Sequence, residues 1–233
     1  MVKAVFFDLY NTLVRYEPPQ EELEAQALKD FGIEARPDTF RRPLVAANEF
    51  IYQEIARRPL SQRPREETMA LYARYQEIVL TEAGIKAEPK LVYGLLGKMQ
   101  QVKTKLALFD DALPALSGLK ERGLVLGLIS NIERDMTGTL NELGLAPRLD
   151  VVVTSLDAGA AKPNPAIFQA ALQKAQVKPE EAIYVGDQYQ VDVLGARGAG
   201  LKGILLDRYD YYGEIKDCPR IKSLKELVEH LES

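Results

Sequence analysis

The sequence has very little of the residues that build disulfide frameworks and histidine-based sites. Its 233 residues include one cysteine, Cys218, one histidine, His230, and no tryptophan. A single cysteine excludes an internal disulfide and any cysteine-rich zinc site. A single histidine argues against Ser-His-Asp catalysis and against histidine-ligated zinc. Any bound metal is therefore expected on oxygen ligands, which Mg²⁺ prefers.

Long apolar runs and blocks of one charge are also missing. The longest apolar stretches, such as 124–129, have strand length, far below the roughly 18 residues of a membrane-spanning helix. The apolar run at the start ends at Asp8, too short for a signal-peptide core. The formal net charge of −4 carries no basic block, so we expect no nucleic-acid and no membrane partner. The lone cysteine indicates a cytoplasmic location. The oligomeric state stays open.

Five short apolar segments have the length and composition of buried strands. They lie at 2–7, 124–129, 149–154, 182–185 and 202–206. Helical patterns separate or follow them, at about 111–122, 134–143, 165–176, 190–198 and 223–231. The last of these opens on a capping-box pattern, Ser223 with Glu226. This alternation predicts an α/β fold, a doubly wound parallel sheet with helices on both faces.

Residues 16–104 break the alternation. No segment between about 16 and 95 has a convincing strand pattern, whereas helical spacing recurs at 21–31, 38–57, 65–83 and 90–99. We therefore predict a core domain built from 1–15 and 105–233, with an all-α helical lobe inserted at 16–104.

Polar residues follow most of the predicted core strands. In chain order they are Asp8, Ser130-Asn131, Lys162, and Gly186-Asp187 with Asp192 five residues further on. Carboxyl ends of parallel strands meet at one edge of a sheet, so these side chains are expected to share a site. Taken singly, each has a plainer explanation: Ser130 could cap a helix, Lys162 could be a surface lysine, and Asp192 could favour a helix first turn.

Together, in this order and spacing, the motifs resemble those of the haloacid dehalogenase superfamily. The resemblance covers the core, about 1–15 and 105–233, and matches the lobe in position and helical character. It implies a Rossmann-like core with a helical cap over the substrate. It also implies hydrolysis through a covalent intermediate on Asp8, which in the phosphatases of the superfamily is an aspartyl-phosphate formed with the help of Mg²⁺.

The resemblance assigns a role to each matched residue. Asp8 is the nucleophile, and Thr12 orients it. Ser130 and Lys162 bind the phosphoryl group, and the backbone N–H groups of Leu9, Tyr10 and Asn131 complete the anion cradle. The Mg²⁺ ligands are Asp8, Asp187, Asp192 and the carbonyl of Tyr10. Arg15 is expected to face the substrate, and so are Tyr16 and Asn48.

One position departs from the phosphatase pattern. Two residues after the nucleophile the superfamily's phosphatases carry a second aspartate, the general acid and base, and this chain has Tyr10. A phenol, with a pKa of about 10, is a weak acid at neutral pH, and losing acid–base help costs about 10²- to 10⁴-fold in rate. The superfamily's 2-haloacid dehalogenases carry tyrosine there, attack carbon and use no metal.

The acidic loop, in contrast, favours a phosphatase. Asp187 and Asp192 are both kept, and carboxylates packed near Asp8 without a cation would raise each other's pKa. The leading prediction is therefore a Mg²⁺-dependent phosphatase of a small phosphorylated metabolite. One alternative is a 2-haloacid dehalogenase-like hydrolase, with Arg41 or Arg42 binding the substrate carboxylate or the halide. The other is a non-catalytic ligand-binding protein of the same fold.

Overall fold

The five short apolar segments of the sequence, joined by a two-residue strand that was not predicted, form a six-stranded parallel sheet. The computed structural model describes residues 1–231. Strands in this part of the chain are β1 (Ala4–Phe7), β2 (Val14–Glu17), β3 (Lys105–Leu108), β4 (Val125–Ser130), β5 (Val151–Thr154), β6 (Ala182–Gly186), β7 (Lys202–Leu206) and β8 (Arg220–Ile221). The sheet order is β5-β4-β1-β6-β7-β8, and its strand pairs are parallel. The predicted α/β fold is confirmed.

Helices connect these strands and fill the segment between β2 and β3. They are α1 (Gln20–Lys29), α2 (Arg41–Arg57), α3 (Arg65–Glu82), α4 (Pro89–Met99), α5 (Ala112–Glu121), α6 (Thr137–Glu142), α7 (Ser155–Ala158), α8 (Pro165–Ala175) and α9 (Leu194–Gly198). Within residues 1–231, no helix combines the length and the apolar character needed to cross a membrane.

The chain divides into two compact units. The α/β unit comprises Met1–Arg15 and Ala107–Ser233, and the helical unit comprises Tyr16–Leu106. The helical unit contains α1 to α4 and has its own apolar core, in which Leu28, Phe40 and Leu80 are fully buried. The α/β unit buries Phe6, Phe168 and Tyr184 against the sheet.

The sheet interior explains one glycine in a strand. Phe6 of β1 lies opposite Gly127 of β4. A Cβ atom on Gly127 would lie 2.4 Å from the Phe6 ring, so the aromatic side chain occupies the space that a larger residue would need. Such close approach is a usual reason for glycine inside a strand.

Some elements differ from the sequence prediction. β2 and β3 pair with each other in a separate two-stranded sheet. Neither was predicted, and β2 extends to Glu17, inside the segment expected to lack strands. Both are four residues long and mostly half-buried or exposed, so they have no continuous apolar run to identify them.

Three predicted helices also change form. The helix predicted at 190–198 is a π-helical turn, Tyr189–Val193, followed by α9. The predicted helix at 134–143 is shortened to α6 because Asp135 Oδ1 accepts hydrogen bonds from the backbone N–H and the hydroxyl of Thr137, the first residue of α6. The last predicted helix is a 3₁₀ helix, Leu224–His230. Ser223 does cap it, but its hydroxyl accepts from Lys225 N, so the expected capping box is not formed.

Candidate active site

Three of the predicted site residues lie at the carboxyl ends of adjacent strands. Asp8 directly follows β1, Ser130 ends β4, and Asp187 directly follows β6. Because β1 lies between β4 and β6 in the sheet, the three residues meet at one edge. This is where open α/β sheets bind their ligands.

Lys162 lies at the centre of the charged cluster. The chain reaches it from β5 through α7, just before α8. Its Nζ donates hydrogen bonds to Asp8 Oδ1 at 2.6 Å, to Asp192 Oδ1 at 2.7 Å and to Tyr184 Oη at 2.7 Å. Its side chain is 3% exposed. Ser130 Oγ lies 3.3 Å from the same Asp8 oxygen. The lysine is therefore a buried, fully hydrogen-bonded ammonium rather than a surface charge.

The carboxylates of Asp8, Asp187 and Asp192 are close enough to share a cation. One oxygen from each lies within 4.8 Å of the others. All three offer hard oxygen ligands, which suit a divalent cation such as Mg²⁺. The neighbouring Gln188 donates its amide N–H to Asp187 at 2.9 Å. Its own buried Oε1 has no hydrogen-bond partner in the part of the chain that the structure describes. The donor set fits a divalent metal ion.

Burial and mutual repulsion raise the pKa of two of these acids. Burial raises the pKa of Asp8 to about 6; Lys162 opposes the rise and Asp192 adds to it. Burial, then the charges of Asp192 and Asp8, hold the pKa of Asp187 well above its usual range. Burial alone would lower the pKa of Lys162, but its two carboxylate partners outweigh this and raise it. The cluster holds more negative charge than one ammonium balances, and a cation would relieve it.

A π-helical turn places Asp192. The turn spans Tyr189–Val193, and such turns often occur at functional sites. Asp192 Oδ2 accepts from the backbone N–H of Gln188 at 3.0 Å. Its Cγ would lie 2.3 Å from a Cβ on Gly186, so only glycine leaves room for this carboxylate. Gly186 therefore makes room for the carboxylate of Asp192, while its neighbour Asp187 supplies a carboxylate of its own.

Asn131 binds the loop that carries Lys162. Its Oδ1 accepts from Lys162 N at 2.7 Å, and its Nδ2 donates to Lys162 O at 3.0 Å. Leu9, fully buried, supplies a backbone hydrogen bond that lowers the pKa of Asp8. Both residues lie beside the cluster, and their part in an anion cradle stays a prediction.

Thr12 is placed differently from the expectation. Among residues 1–231 its buried hydroxyl has no hydrogen-bond partner, so the hydroxyl makes no hydrogen bond to Asp8. Its carbonyl instead accepts from Arg208 Nη2 at 2.8 Å. The reason is the tight turn after β1, where Asn11 has a left-handed backbone with φ of 59° and Leu13 N bonds back to Leu9 O at 2.9 Å.

Tyr10 and Arg15 lie on the same segment but outside the charged cluster's hydrogen bonds described above. Tyr10 is half-buried and forms an isolated bridge with Val14. The guanidinium of Arg15 lies 5.6 Å from the centre of the Phe109 ring. Their roles in substrate and metal binding stay predictions.

Three residues of this region were missed from the sequence: Tyr184, Gln188 and Arg208. Tyr184 occupies a position of β6 that reads as one more apolar strand residue. Gln188 lies next to Asp187 in the metal loop, so its place in the motif was a signal that could have found it. Arg208 follows β7 by two residues, and only the fold brings it to Thr12.

Comparison with known proteins supports the same family. The family model for haloacid dehalogenase-like hydrolases matches residues 2–200. The chain is 33% identical to a glyceraldehyde 3-phosphate phosphatase of Methanopyrus kandleri over 213 residues, which cover 91% of this chain and 86% of the relative. It is 30% identical to a phosphoserine phosphatase of Thermus thermophilus, with 89% of each chain covered.

Solved structures include a dehalogenase relative. A 2-haloacid dehalogenase from Pseudomonas syringae matches with a TM-score of 0.57 and 28% identity, covering 100% of this chain and 99% of that one. The sheet order, the motif residues at its carboxyl edge and these matches agree. This chain belongs to the haloacid dehalogenase-like hydrolase family.

Proposed function

We propose that this protein is a Mg²⁺-dependent phosphatase that hydrolyses a small phosphorylated metabolite through an aspartyl-phosphate on Asp8. The observation that carries the proposal is the cluster at the sheet edge. One oxygen each of Asp8, Asp187 and Asp192 lies within 4.8 Å of the others, and Lys162 bonds directly to Asp8. A nucleophile, a cation and a metal-ligand set are the parts that phosphoryl transfer to a carboxylate requires.

The residues divide the work as follows. Asp8 attacks phosphorus with one carboxylate oxygen, and the leaving-group oxygen departs with the rest of the substrate. Lys162 counters the repulsion between the carboxylate and the phosphate, and Ser130 donates a hydrogen bond to a phosphoryl oxygen. Water then cleaves the aspartyl-phosphate and regenerates Asp8. Buried groups act strongly here because little water screens them.

Four oxygen donors would hold the metal: the carboxylates of Asp8, Asp187 and Asp192, and the backbone carbonyl of Tyr10. When bound, Mg²⁺ neutralises negative charge on the phosphoryl group and on the attacking carboxylate. The excess of carboxylates over ammonium in the cluster supports this assignment.

The relatives support a small substrate. The two phosphatases reported above are named for glyceraldehyde 3-phosphate and for phosphoserine, both small phosphate monoesters. We extend that class, and not either compound, to this protein. A cytoplasmic location and the absence of nucleic-acid and membrane partners remain predictions from composition and cysteine content.

One observation favours a second candidate function. Tyr10 stands where an acid–base aspartate is expected, and a 2-haloacid dehalogenase is among the structural relatives. A halide leaves without a proton, so a dehalogenase-like reaction at carbon would not need the missing acid. Asp187 and Asp192 argue against it, because a metal-free reaction has no use for their crowded charges.

The test is hydrolysis of p-nitrophenyl phosphate by the purified chain, with Mg²⁺ and with a chelator. The aryl leaving group needs little protonation, so Tyr10 does not bias the assay. Phosphate release that requires both Mg²⁺ and Asp8 is expected, with Asp8→Asn inactive. The exposed Asp110→Asn, two residues past β3, is the matched control and should keep full activity.

Two results would change the assignment. Release of halide from 2-chloropropionate without Mg²⁺, together with no phosphate release, would establish the dehalogenase-like alternative. If the folded chain catalyses neither reaction, the remaining hypothesis is a non-catalytic ligand-binding protein.

A further inference from the structure

The hydroxyl of Tyr184 touches three of the motifs at once. It accepts from Lys162 Nζ at 2.7 Å and lies 3.0 Å from Asp192 Oδ1. It also lies 3.1 Å from the carbonyl oxygen of Ile129, the residue before Ser130. Tyr184 therefore joins the strand end that carries Ser130, the loop that carries Lys162, and the turn that carries Asp192.

The hydroxyl completes the coordination of the lysine. An ammonium has three N–H donors, and those of Lys162 go to Asp8, Asp192 and Tyr184. With only two hydrogen-bond partners, the ammonium could rotate about the Cε–Nζ bond, and the lysine side chain could change its position. The third partner holds Nζ in one place, 5.4 Å from the centre of the tyrosine ring.

Packing alone does not account for a tyrosine at this position. The other residues of β6 are Ala182, Ile183, Val185 and Gly186, all apolar or small. The Tyr184 ring contacts Phe168 edge-on, with centroids 5.2 Å apart, a contact that phenylalanine would make equally well. A buried hydroxyl costs free energy unless it is hydrogen-bonded. We therefore look to the hydrogen bonds of the Tyr184 hydroxyl for the reason that a tyrosine stands in this buried strand.

We propose that Tyr184 is a positioning residue, which holds the Lys162 ammonium between Asp8 and Asp192 in the geometry that phosphoryl transfer requires. It does not touch substrate. Its hydroxyl accepts from Lys162 and donates its single proton to Ile129 O or to Asp192, so it ties the lysine to the strand behind it. The activity part of this proposal rests on the phosphatase function proposed above.

The first experiment compares Tyr184→Phe with the unaltered chain in p-nitrophenyl phosphate hydrolysis with Mg²⁺. We expect kcat to fall by about 10- to 100-fold, the usual cost of removing a group that orients a ligand or a catalytic side chain. KM should change by no more than about twofold, because Ser130 and the backbone donors are untouched. Tyr212→Phe, which removes a hydroxyl from another buried tyrosine of the α/β unit, is the control and should keep kcat.

A double-mutant cycle shows whether the tyrosine acts through the lysine. In a Lys162→Met background, Tyr184→Phe should cost nothing further in kcat, because the group it positions is gone. Costs that add in the double variant would overturn the proposal. So would an unchanged kcat in Tyr184→Phe, or a loss that Tyr212→Phe reproduces.

A second measurement does not depend on phosphatase activity. In a chain labelled with ¹⁵N-lysine, the Lys162 ammonium should give a signal in slow exchange with water, identified by its loss in Lys162→Met. Tyr184→Phe should broaden it while leaving the melting temperature within a few degrees. In the unaltered chain the signal should show a cross-peak to the Tyr184 ring protons. An unchanged signal in the variant, or no cross-peak, would overturn the proposal even if the activity is something else.

Discussion

At the scale of single residues, we propose that Tyr10 limits which leaving groups this site can handle. An alkoxide leaving group must gain a proton as it departs, and general acid help for such a step is worth about 10²- to 10⁴-fold. A phenol supplies that proton poorly at neutral pH. The site should therefore favour phosphates whose leaving groups are weakly basic, such as aryl or acyl phosphates.

Replacing Tyr10 with aspartate should change that preference. We expect Tyr10→Asp to raise kcat/KM for an alkyl phosphate by about 100-fold, because it supplies an acid. The gain for p-nitrophenyl phosphate should be no more than a few-fold. The measurement is kcat/KM across phosphates with leaving groups of graded pKa, for both forms of the chain.

The control for this prediction is Tyr209→Asp, at an exposed tyrosine of the α/β unit. It should leave the dependence on leaving-group pKa unchanged. Equal gains on alkyl and aryl phosphates in Tyr10→Asp would mean that protonation of the leaving group is not what limits the natural site.

At the scale of secondary-structure elements, the ion pair of Asp111 and Arg208 links the 3₁₀ helix Leu224–His230 to the sheet. Asp111, just before α5, accepts from Arg208 Nη1 and Nη2, both at 2.9 Å. It also accepts from Ser223 Oγ at 2.8 Å and Leu224 N at 2.9 Å. Arg208 reaches from this carboxylate to the carbonyl of Thr12 and stacks on Phe109, with Cζ 3.9 Å from the ring centre. One carboxylate thus holds three separated segments together.

Removing that carboxylate should destabilise the α/β unit. Asp111→Ala leaves Arg208, whose side chain is only 12% exposed, without its bidentate partner, and breaking a buried pair from one side costs about 3–5 kcal/mol. We expect a loss of this size in the free energy of unfolding by urea. Asp217→Ala removes an exposed partner of Arg197 and should cost less than about 1 kcal/mol. Similar losses in the two variants would contradict the argument.

The helical unit contains a buried acid of its own. Glu24 of α1 accepts from Gln76 Nε2 of α3 at 2.9 Å and is 4% exposed. Burial raises the pKa of Glu24 from 4.5 to about 7, and the bond from Gln76 only partly opposes this. The folded unit therefore binds a proton that the unfolded chain has lost between these pH values. The contribution of Glu24 to the free energy of unfolding is therefore largest below about pH 4.5 and falls as the pH rises to about 7.

Substituting this acid should remove that pH dependence. Glu24→Gln carries no charge, so we expect its stability relative to the unaltered chain to increase by on the order of 2 kcal/mol between pH 5 and pH 8. Urea unfolding at both pH values measures the difference. Glu22→Gln, on the exposed side of the same helix, is the control. A difference that does not change with pH would show that Glu24 is already ionised in the folded state.

Over the whole molecule, the crowded carboxylates should make stability depend on divalent cations. Three buried or half-buried acids face one ammonium at the sheet edge. We expect Mg²⁺ to raise the melting temperature, since a ligand at 100 times its Kd stabilises by about 2.7 kcal/mol. Asp187→Asn should melt higher than the unaltered chain without Mg²⁺, because it removes repulsion, and should lose the Mg²⁺ response.

The control for the metal prediction is again Asp110→Asn, which should melt and respond like the unaltered chain. An increase of melting temperature with Mg²⁺ that survives in Asp187→Asn would place the cation elsewhere. A lower melting temperature for Asp187→Asn without Mg²⁺ would mean that this carboxylate is stabilising as it stands.

The sequence alone determined the α/β fold class and the order of the motif residues. Each core strand is a local apolar run that ends at a polar residue, and parallel strands share one edge wherever they lie in the sheet. Those two facts suffice to collect Asp8, Ser130 and Asp187 without knowing the strand order. β2 and β3 were not predicted, because short, half-buried strands have no comparable apolar pattern.

Only the tertiary structure decided how Lys162 is held and what Thr12 contacts. In the sequence, Tyr184 looks like one more residue of an apolar strand. Its hydroxyl comes into contact with Lys162, Asp192 and Ile129 only when β6 and β4 flank β1. Arg208 finds the Thr12 carbonyl across 196 positions of chain. The reason is physical: hydrophobic patterning acts between near neighbours along the chain, whereas these hydrogen bonds join atoms that come together only after the strands have paired.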